Sequence, residues 1–174
     1  MGAAQSLSGR CTCHADLWQP PASDARLKRP AAVGIHGGGF ETGNRNTDAF
    51  VQTWARKLAQ RGFVTVSIDY RLYGLKPTAK NPGGAETSNT DAMYDAKAAV
   101  RWLRKNAAEL RIDTERIAAF GCSAGAMTTA FLCGVGDTKG EGTSGNPGFS
   151  SDIQAGVALS GAIIELNCGR SKPT

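Results

Sequence analysis

The sequence predicts an α/β domain in which a mostly parallel sheet is covered by helices on both faces. Two observations carry that prediction. Short apolar runs alternate with segments of helical spacing along most of the 174 residues, the pattern of right-handed crossovers between parallel strands. Two glycine-bearing motifs, His36-Gly37-Gly38-Gly39-Phe40 and Gly121-Cys122-Ser123-Ala124-Gly125, each follow directly on an apolar run. That is the carboxyl end of a strand, where open α/β sheets place their ligands.

Taken in order, the first residues are small and polar and read as a loose lead-in, 1–12, to a domain over 13–174. Cys11–Trp18 is a candidate strand closed by Pro20-Pro21. Residues 20–30 hold three prolines and several charges and read as a surface turn. Ala31–Ile35 is a short buried strand. Thr47–Arg61 has helical spacing with Phe50, Trp54 and Leu58 on one face, and Gly62 stops it. Phe63–Ile68 is the next strand, and a loop rich in Gly, Pro and Asn covers 73–89. The clearest helix is Asp91–Leu110, with Thr90 as N-cap and Met93, Ala96, Val100, Leu103, Ala107 and Leu110 as its apolar stripe. Arg116–Phe120 is a strand and Ala124–Cys133 a helix. Residues 134–152 carry six glycines and read as a long flexible loop, before a last strand Ile153–Leu159.

Composition excludes several classes. Apolar residues make up 41% and charged ones 20%, an ordinary globular mixture. No window approaches the roughly 18 consecutive apolar residues of a membrane span, and the N-terminal residues lack the apolar core of a secretory signal. The net charge of +5 is spread without a block of like charges, which argues against nucleic acid as partner. The five cysteines are odd in number and irregularly spaced, as expected of reduced thiols in the cytoplasm. Cys11 and Cys13 share a strand face, but only His14 stands near them, too few ligands for zinc. Met1-Gly2-Ala3-Ala4-Gln5-Ser6 fits the N-myristoylation pattern at Gly2. The pattern is short and often met by chance, and a frayed terminus is the preferred reading over acylation.

The two motifs carry the chemistry. G-x-S-x-G between a strand and a helix holds a serine on a strained turn with its hydroxyl outward. Gly121 and Gly125 are what the sharp turn needs, because side chains there would meet the neighbouring strand or helix. In His36–Phe40 the glycines free backbone N–H groups to approach a substrate oxygen. Such donors, aimed at the oxygen of a tetrahedral intermediate, are worth about 2.7–4 kcal/mol each. The candidate donors are Gly38, with Gly37 or Gly39, and Ala124 after Ser123. No metal or organic cofactor is called for. Cys122 reads as packing, Trp54 and Trp102 as core, and Asp69 as either a turn cap or a support of the site.

With these residues in view, the sequence resembles the α/β-hydrolase esterases and lipases of the hormone-sensitive-lipase-like and feruloyl-esterase-like group. The resemblance rests on His36–Phe40 with Gly43, on Asp69-Tyr70-Arg71-Leu72, on the helix containing Arg101-Trp102-Leu103, and on Gly121–Gly125. It covers roughly residues 13–165 and implies an α/β-hydrolase fold incomplete at the C-terminus. It implies Ser123 as nucleophile, Gly37, Gly38, Gly39 and Ala124 as the oxyanion-hole region, and His36, Asp69 and Arg71 as supports. The substrates it implies are small esters or acylated alcohols. In that family the acid and then the histidine follow the nucleophile along the chain. Here Asp137, Glu141, Asp152 and Glu165 follow Ser123, and no histidine does; His14 and His36 both precede it.

Three expectations follow. The first is a serine carboxylesterase whose acid and base lie outside these residues, so that the chain is inactive as it stands. The second is a hydrolase-like module that binds a small carboxylate or ester without turning it over. The third is a half-domain completed by a second chain along an unpaired sheet edge.

Overall fold

The computed structural model describes residues 4–6, 14–135 and 140–161. They form a six-stranded sheet in the order β1-β2-β4-β3-β5-β6. The strands are β1 (Ala4–Ser6), β2 (His14–Trp18), β3 (Arg29–Ile35), β4 (Val64–Ile68), β5 (Ile112–Cys122) and β6 (Ala155–Leu159). β1 and β2 are antiparallel to their neighbours, and β4, β3, β5 and β6 run parallel. Central β3 is flanked by β4 and β5, in register from Ala31↔Val64 and Ala31↔Ile117 to Ile35↔Ile68 and Ile35↔Gly121. Their carboxyl ends therefore come out side by side.

The helices cover both faces. Helix α1 (Ala49–Gln60) lays Val51 and Ala55 against Ala32 and Phe120. On the opposite face α2 (Ala85–Lys105) and α4 (Ala124–Val135) enclose the larger core with Ala31, Val33, Ile35, Val66 and Ile117. The two clusters alternate along β3, as the two-residue period of a strand requires. A Cβ on Gly34 would lie 2.7 Å from the Phe120 ring and 2.8 Å from Val51, so glycine there lets α1 approach.

Several elements differ from the sequence reading. Ala4–Ser6 pairs with β2 instead of belonging to a loose lead-in; Cys11, Cys13 and Gly2 lie outside the described residues. The buried face of α1 is Val51, Ala55 and Ala59, one residue on from the expected stripe, and Trp54 stands at the rim with 43% of its surface exposed. Close approach at Gly34 and Ala55 admits small side chains and leaves the aromatics at the edge.

Helix α2 begins six residues before Asp91, with Gly84 in place of Thr90 at its cap. The first turns hold Ser and Asn, which favour caps over helix interiors, but tertiary bonds take up their side chains. Ser88 donates to the Gly74 carbonyl at 2.6 Å and accepts from Asn81 at 3.0 Å. At the other end the helix stops at Lys105. Asn106 Nδ2 bonds back to the Trp102 carbonyl at 2.8 Å, and a separate turn, α3 (Ala107–Leu110), ends at left-handed Arg111. β5 starts earlier than Arg116, because Ile112 already pairs with Arg29 across a register shift.

Candidate active site

Ser123 occupies the turn between β5 and α4 with φ of +55°. A non-glycine residue in that region stores roughly 1–3 kcal/mol of strain. The turn is fixed from both sides. The Ser123 N–H donates to the Leu159 carbonyl at 3.0 Å, and its own carbonyl accepts from Ala126 and Met127 at 3.0 and 3.1 Å. Its side chain is exposed. Gly121 and Gly125 cross at the turn: a Cβ on Gly121 would lie 2.9 Å from the Ile35 carbonyl oxygen, and one on Gly125 2.7 Å from that of His36. Neither backbone group can move aside.

The loop after β3 comes to the same place. A Cβ at Gly37 would lie 3.4 Å from the Ser123 Cβ, so His36–Phe40 runs directly past the serine. Gly38 and Gly39 have φ of +112° and +63°, and Phe40, though not glycine, has +59°. At Gly38 any side chain would run into the Thr42 backbone. Among the described residues no hydrogen bond takes up the N–H of Gly38 or Gly39. The Ala124 N–H belongs to the first residue of α4, where helix geometry leaves donors free. The Gly37 N–H is different: it donates to Asp48 Oδ2 at 3.1 Å, which removes it from the available donors.

Three groups hold that loop. Asp48 caps α1 through Oδ1, accepting from the Val51 N–H at 2.9 Å, and binds Gly37 through Oδ2. Tyr70, buried after β4, donates its hydroxyl to the His36 carbonyl at 2.9 Å and meets Phe40 edge-on at 5.9 Å. The His36 ring stacks on Tyr70 at 4.2 Å, and its Nδ1 lies 2.6 Å from the Gly37 carbonyl. Burial lowers the His36 pKa below the ordinary 6.5. Burial, assisted by the Asp48 charge, raises the Tyr70 phenol well above its usual value. Both rings therefore stay neutral at pH 7.

Asp69 and Arg71, at the end of β4, are each tied into a network. Asp69 accepts from the Arg45 backbone at 2.8 Å and from its guanidinium at 2.5 Å, while Arg45 also reaches Asp16 at 2.9 Å. Arg71 donates to buried Asp95 at 3.0 Å and pairs with Asp91 at 3.0 Å. It also donates to Ser144 at 3.2 Å, which joins it to the loop after α4.

That loop, expected to be flexible, is anchored over its described part. Buried Lys97 donates to the Gly140 carbonyl at 2.7 Å, and buried Arg101 to the carbonyls of Gly145 and Glu141, each at 2.9 Å. The Glu141 carboxylate is taken up by Arg101 and by the Ser151 hydroxyl. Asp152 is exposed at the loop's end; Asp137 and Glu165 lie outside the described residues. Neither described histidine offers Ser123 a base. His14 is exposed on β2, two strands away from β3, and His36 Nε2 is buried without a hydrogen-bond partner, Ser123 included.

The sequence reading brought together Ser123, Gly37, Gly38, Gly39, Ala124, His36, Asp69 and Arg71. It missed Asp48, Arg45 and Asp95, and gave Tyr70 no role. Asp48 had a signal, an aspartate directly before an amphipathic helix.

Strand ends carrying a strained serine and a glycine loop at its side define the α/β-hydrolase class, of the esterase and lipase type. Within it, the chain matches the BD-FAE family over residues 15–163 and belongs to that family. It is 36% identical over 115 residues to carboxylesterase NlhH of Mycobacterium tuberculosis, covering 66% of this chain and 31% of that protein. Over 148 residues it is 30% identical to lipase 5 of Diutina rugosa, covering 84% of this chain and 26% of the lipase. The apo form of Thermogutta terrifontis esterase 2 superposes with a TM-score of 0.74 at 26% identity, covering 98% of this chain and 59% of the esterase. The same esterase phosphonylated by sarin gives 0.75 at 25% identity, over 99% of this chain and 58% of the other. The chain thus spans less than two thirds of the relatives it matches.

Proposed function

We propose that Ser123 is the nucleophile of a carboxylic-ester hydrolase, with the N–H groups of Ala124, Gly38 and Gly39 as oxyanion donors. The observation that carries this reading is the left-handed φ of +55° at Ser123, which faces the Gly37 backbone across the turn. Strain of this kind persists only where the surroundings over-determine it. In the whole reaction Ser123 Oγ attacks the ester carbonyl, the oxygen gains negative charge against the donors, and the alcohol leaves as the acyl-serine forms. Water then releases the acid. His36, Asp69 and Arg71 position the loops, and the substrates are small esters or acylated alcohols.

The proton of Ser123 needs a base, and the described residues supply none. Loss of a triad histidine costs on the order of 10⁶ in kcat in subtilisin. Ester turnover by the 174-residue chain is therefore expected near background. Esterase 2 of Thermogutta terrifontis accepts an organophosphonate, and the same chemistry tests the proposal here. A fluorophosphonate should form an adduct that maps to Ser123, slowly alone and faster with added imidazole as external base, and not in Ser123→Ala. No adduct at Ser123 even with imidazole would overturn the reading and favour a non-catalytic module that binds small esters or carboxylates.

A further inference from the structure

Helix α1 turns a basic and aromatic stripe to the outside. Trp54, Lys57 and Arg61 follow at steps of three and four residues, so they share one line of the helix, while Arg56 projects from another flank. All four are exposed. The Lys57 ammonium stands 5.2 Å over the Trp54 ring and the Arg56 guanidinium 5.4 Å over that of Trp18. The segment before β3 extends the surface. Arg26 lies against Gly62 and donates to the Arg61 carbonyl at 3.0 Å. That brings neighbouring Leu27, with 79% of its surface exposed, and exposed Lys28 to the same end.

Little negative charge opposes this surface. Ala49–Gln60 contains no acidic residue. Asp24 is taken up by Arg26 and Arg29, and Asp113 by Arg116. Among the described residues no ion pair takes up Arg56, Lys57 or Arg61. The cations that look scattered along the sequence are gathered by the fold.

We propose that this surface docks on an anionic membrane, Leu27 and Trp54 entering the headgroup layer while Lys28, Lys57 and Arg61 face lipid phosphates. Charge complementarity selects an anionic partner, and the apolar tip selects a bilayer over a nucleic acid. An exposed leucine offers nothing to a phosphate backbone, whereas a tryptophan ring and an aliphatic side chain among cations suit the interfacial layer. No helix among the described residues is long and apolar enough to cross a membrane, so the attachment is peripheral. Its place in the fold leaves the active site free. Residues 26–28 and Arg61 precede β3 and β4, whereas Ser123 follows β5, at the other end of the parallel strands.

Co-sedimentation of the full chain with vesicles tests this. The chain should bind phosphatidylcholine–phosphatidylserine vesicles and not phosphatidylcholine alone, and added salt should weaken binding. Each cation at an anionic surface strengthens binding about fivefold. Lys57→Glu with Arg61→Glu should therefore weaken it at least about 25-fold. Leu27→Ser with Trp54→Ala should weaken it as well; these side chains are exposed, and circular dichroism confirms the fold of each variant. Equal binding to phosphatidylcholine alone would overturn the proposal, and so would indifference to either double variant. Binding to duplex DNA, lost on charge reversal and without vesicle binding, would reassign the surface to nucleic acid and overturn it too.

Discussion

The loop His36–Phe40 and the loop Gly140–Ser151 both lie against helices beside Ser123 or its supports, but they are held by opposite means. The first is held by backbone fit: left-handed glycines, the Gly121–Gly125 crossing, and carbonyls met by Tyr70. The second is held by buried charge, with Asp95, Lys97 and Arg101 of α2 binding Ser144, Gly140, Gly145 and Glu141. Arg71 joins the second group, bonded to Asp95 and Ser144, while its chain neighbour Tyr70 holds the first loop. Backbone fit tolerates no added atom, because its neighbours cannot yield. Buried charges are costly to strip singly, yet an apolar replacement can stand in for them. The difference predicts which region can be rescued.

Gly125→Ala should therefore do the greatest damage. Its Cβ would press on the carbonyls of Ile35 and His36, exceeding the ~1–3 kcal/mol of ordinary overpacking. Soluble folded protein should be lost in expression, and no second substitution nearby should restore it. A soluble variant with the native urea midpoint would show that the turn is not over-determined. Arg101→Ala comes next. It strips a buried guanidinium from Glu141 and two carbonyls, at about 3 kcal/mol, the low end for a broken buried pair, because Glu141 is partly exposed and can rehydrate. Arg101→Met with Glu141→Gln should recover part of the loss in urea unfolding. No recovery would mean that this region too depends on one exact fit.

The same division explains what was legible in the sequence. Glycines that a turn demands show in the chain, so His36–Phe40 and Gly121–Gly125 marked both strand ends and the serine. Short apolar runs placed β3, β4 and the second half of β5. The charged anchors showed no such sign. Asp95, Lys97 and Arg101 look like the solvent face of a helix, and only the loop folded over them makes them interior. Residues 85–90 read as loop for a similar reason, since Ser88 and Asn81 find distant partners that local propensity cannot anticipate. Trp54 misled in the other direction: an aromatic at helical spacing suggests core, whereas the glycine at position 34 brings α1 too close for it.

Smaller effects probe the first loop more finely. Tyr70→Phe keeps the stacking on His36 and removes one hydroxyl donor, so stability should fall by about 1 kcal/mol, the net worth of a typical hydrogen bond. A fall of several kcal/mol would mean that the hydroxyl fixes the whole loop.

The smallest effect is in pH. His36 has its pKa lowered in the folded state from 6.5 by burial. The unfolded chain thus binds the proton more readily, and stability rises with pH wherever it does so. The contribution is fully present above about 6.5 and is lost as pH falls through the lower folded value. Urea midpoints should decline from pH 7 to about pH 5, a window chosen to lie above most carboxylate titration. His36→Asn, whatever its own stability, should remove that slope, because the ring whose protonation burial opposes is then gone. An unchanged slope in His36→Asn would place the proton uptake elsewhere and leave the His36 ring a brace with no share in the pH response.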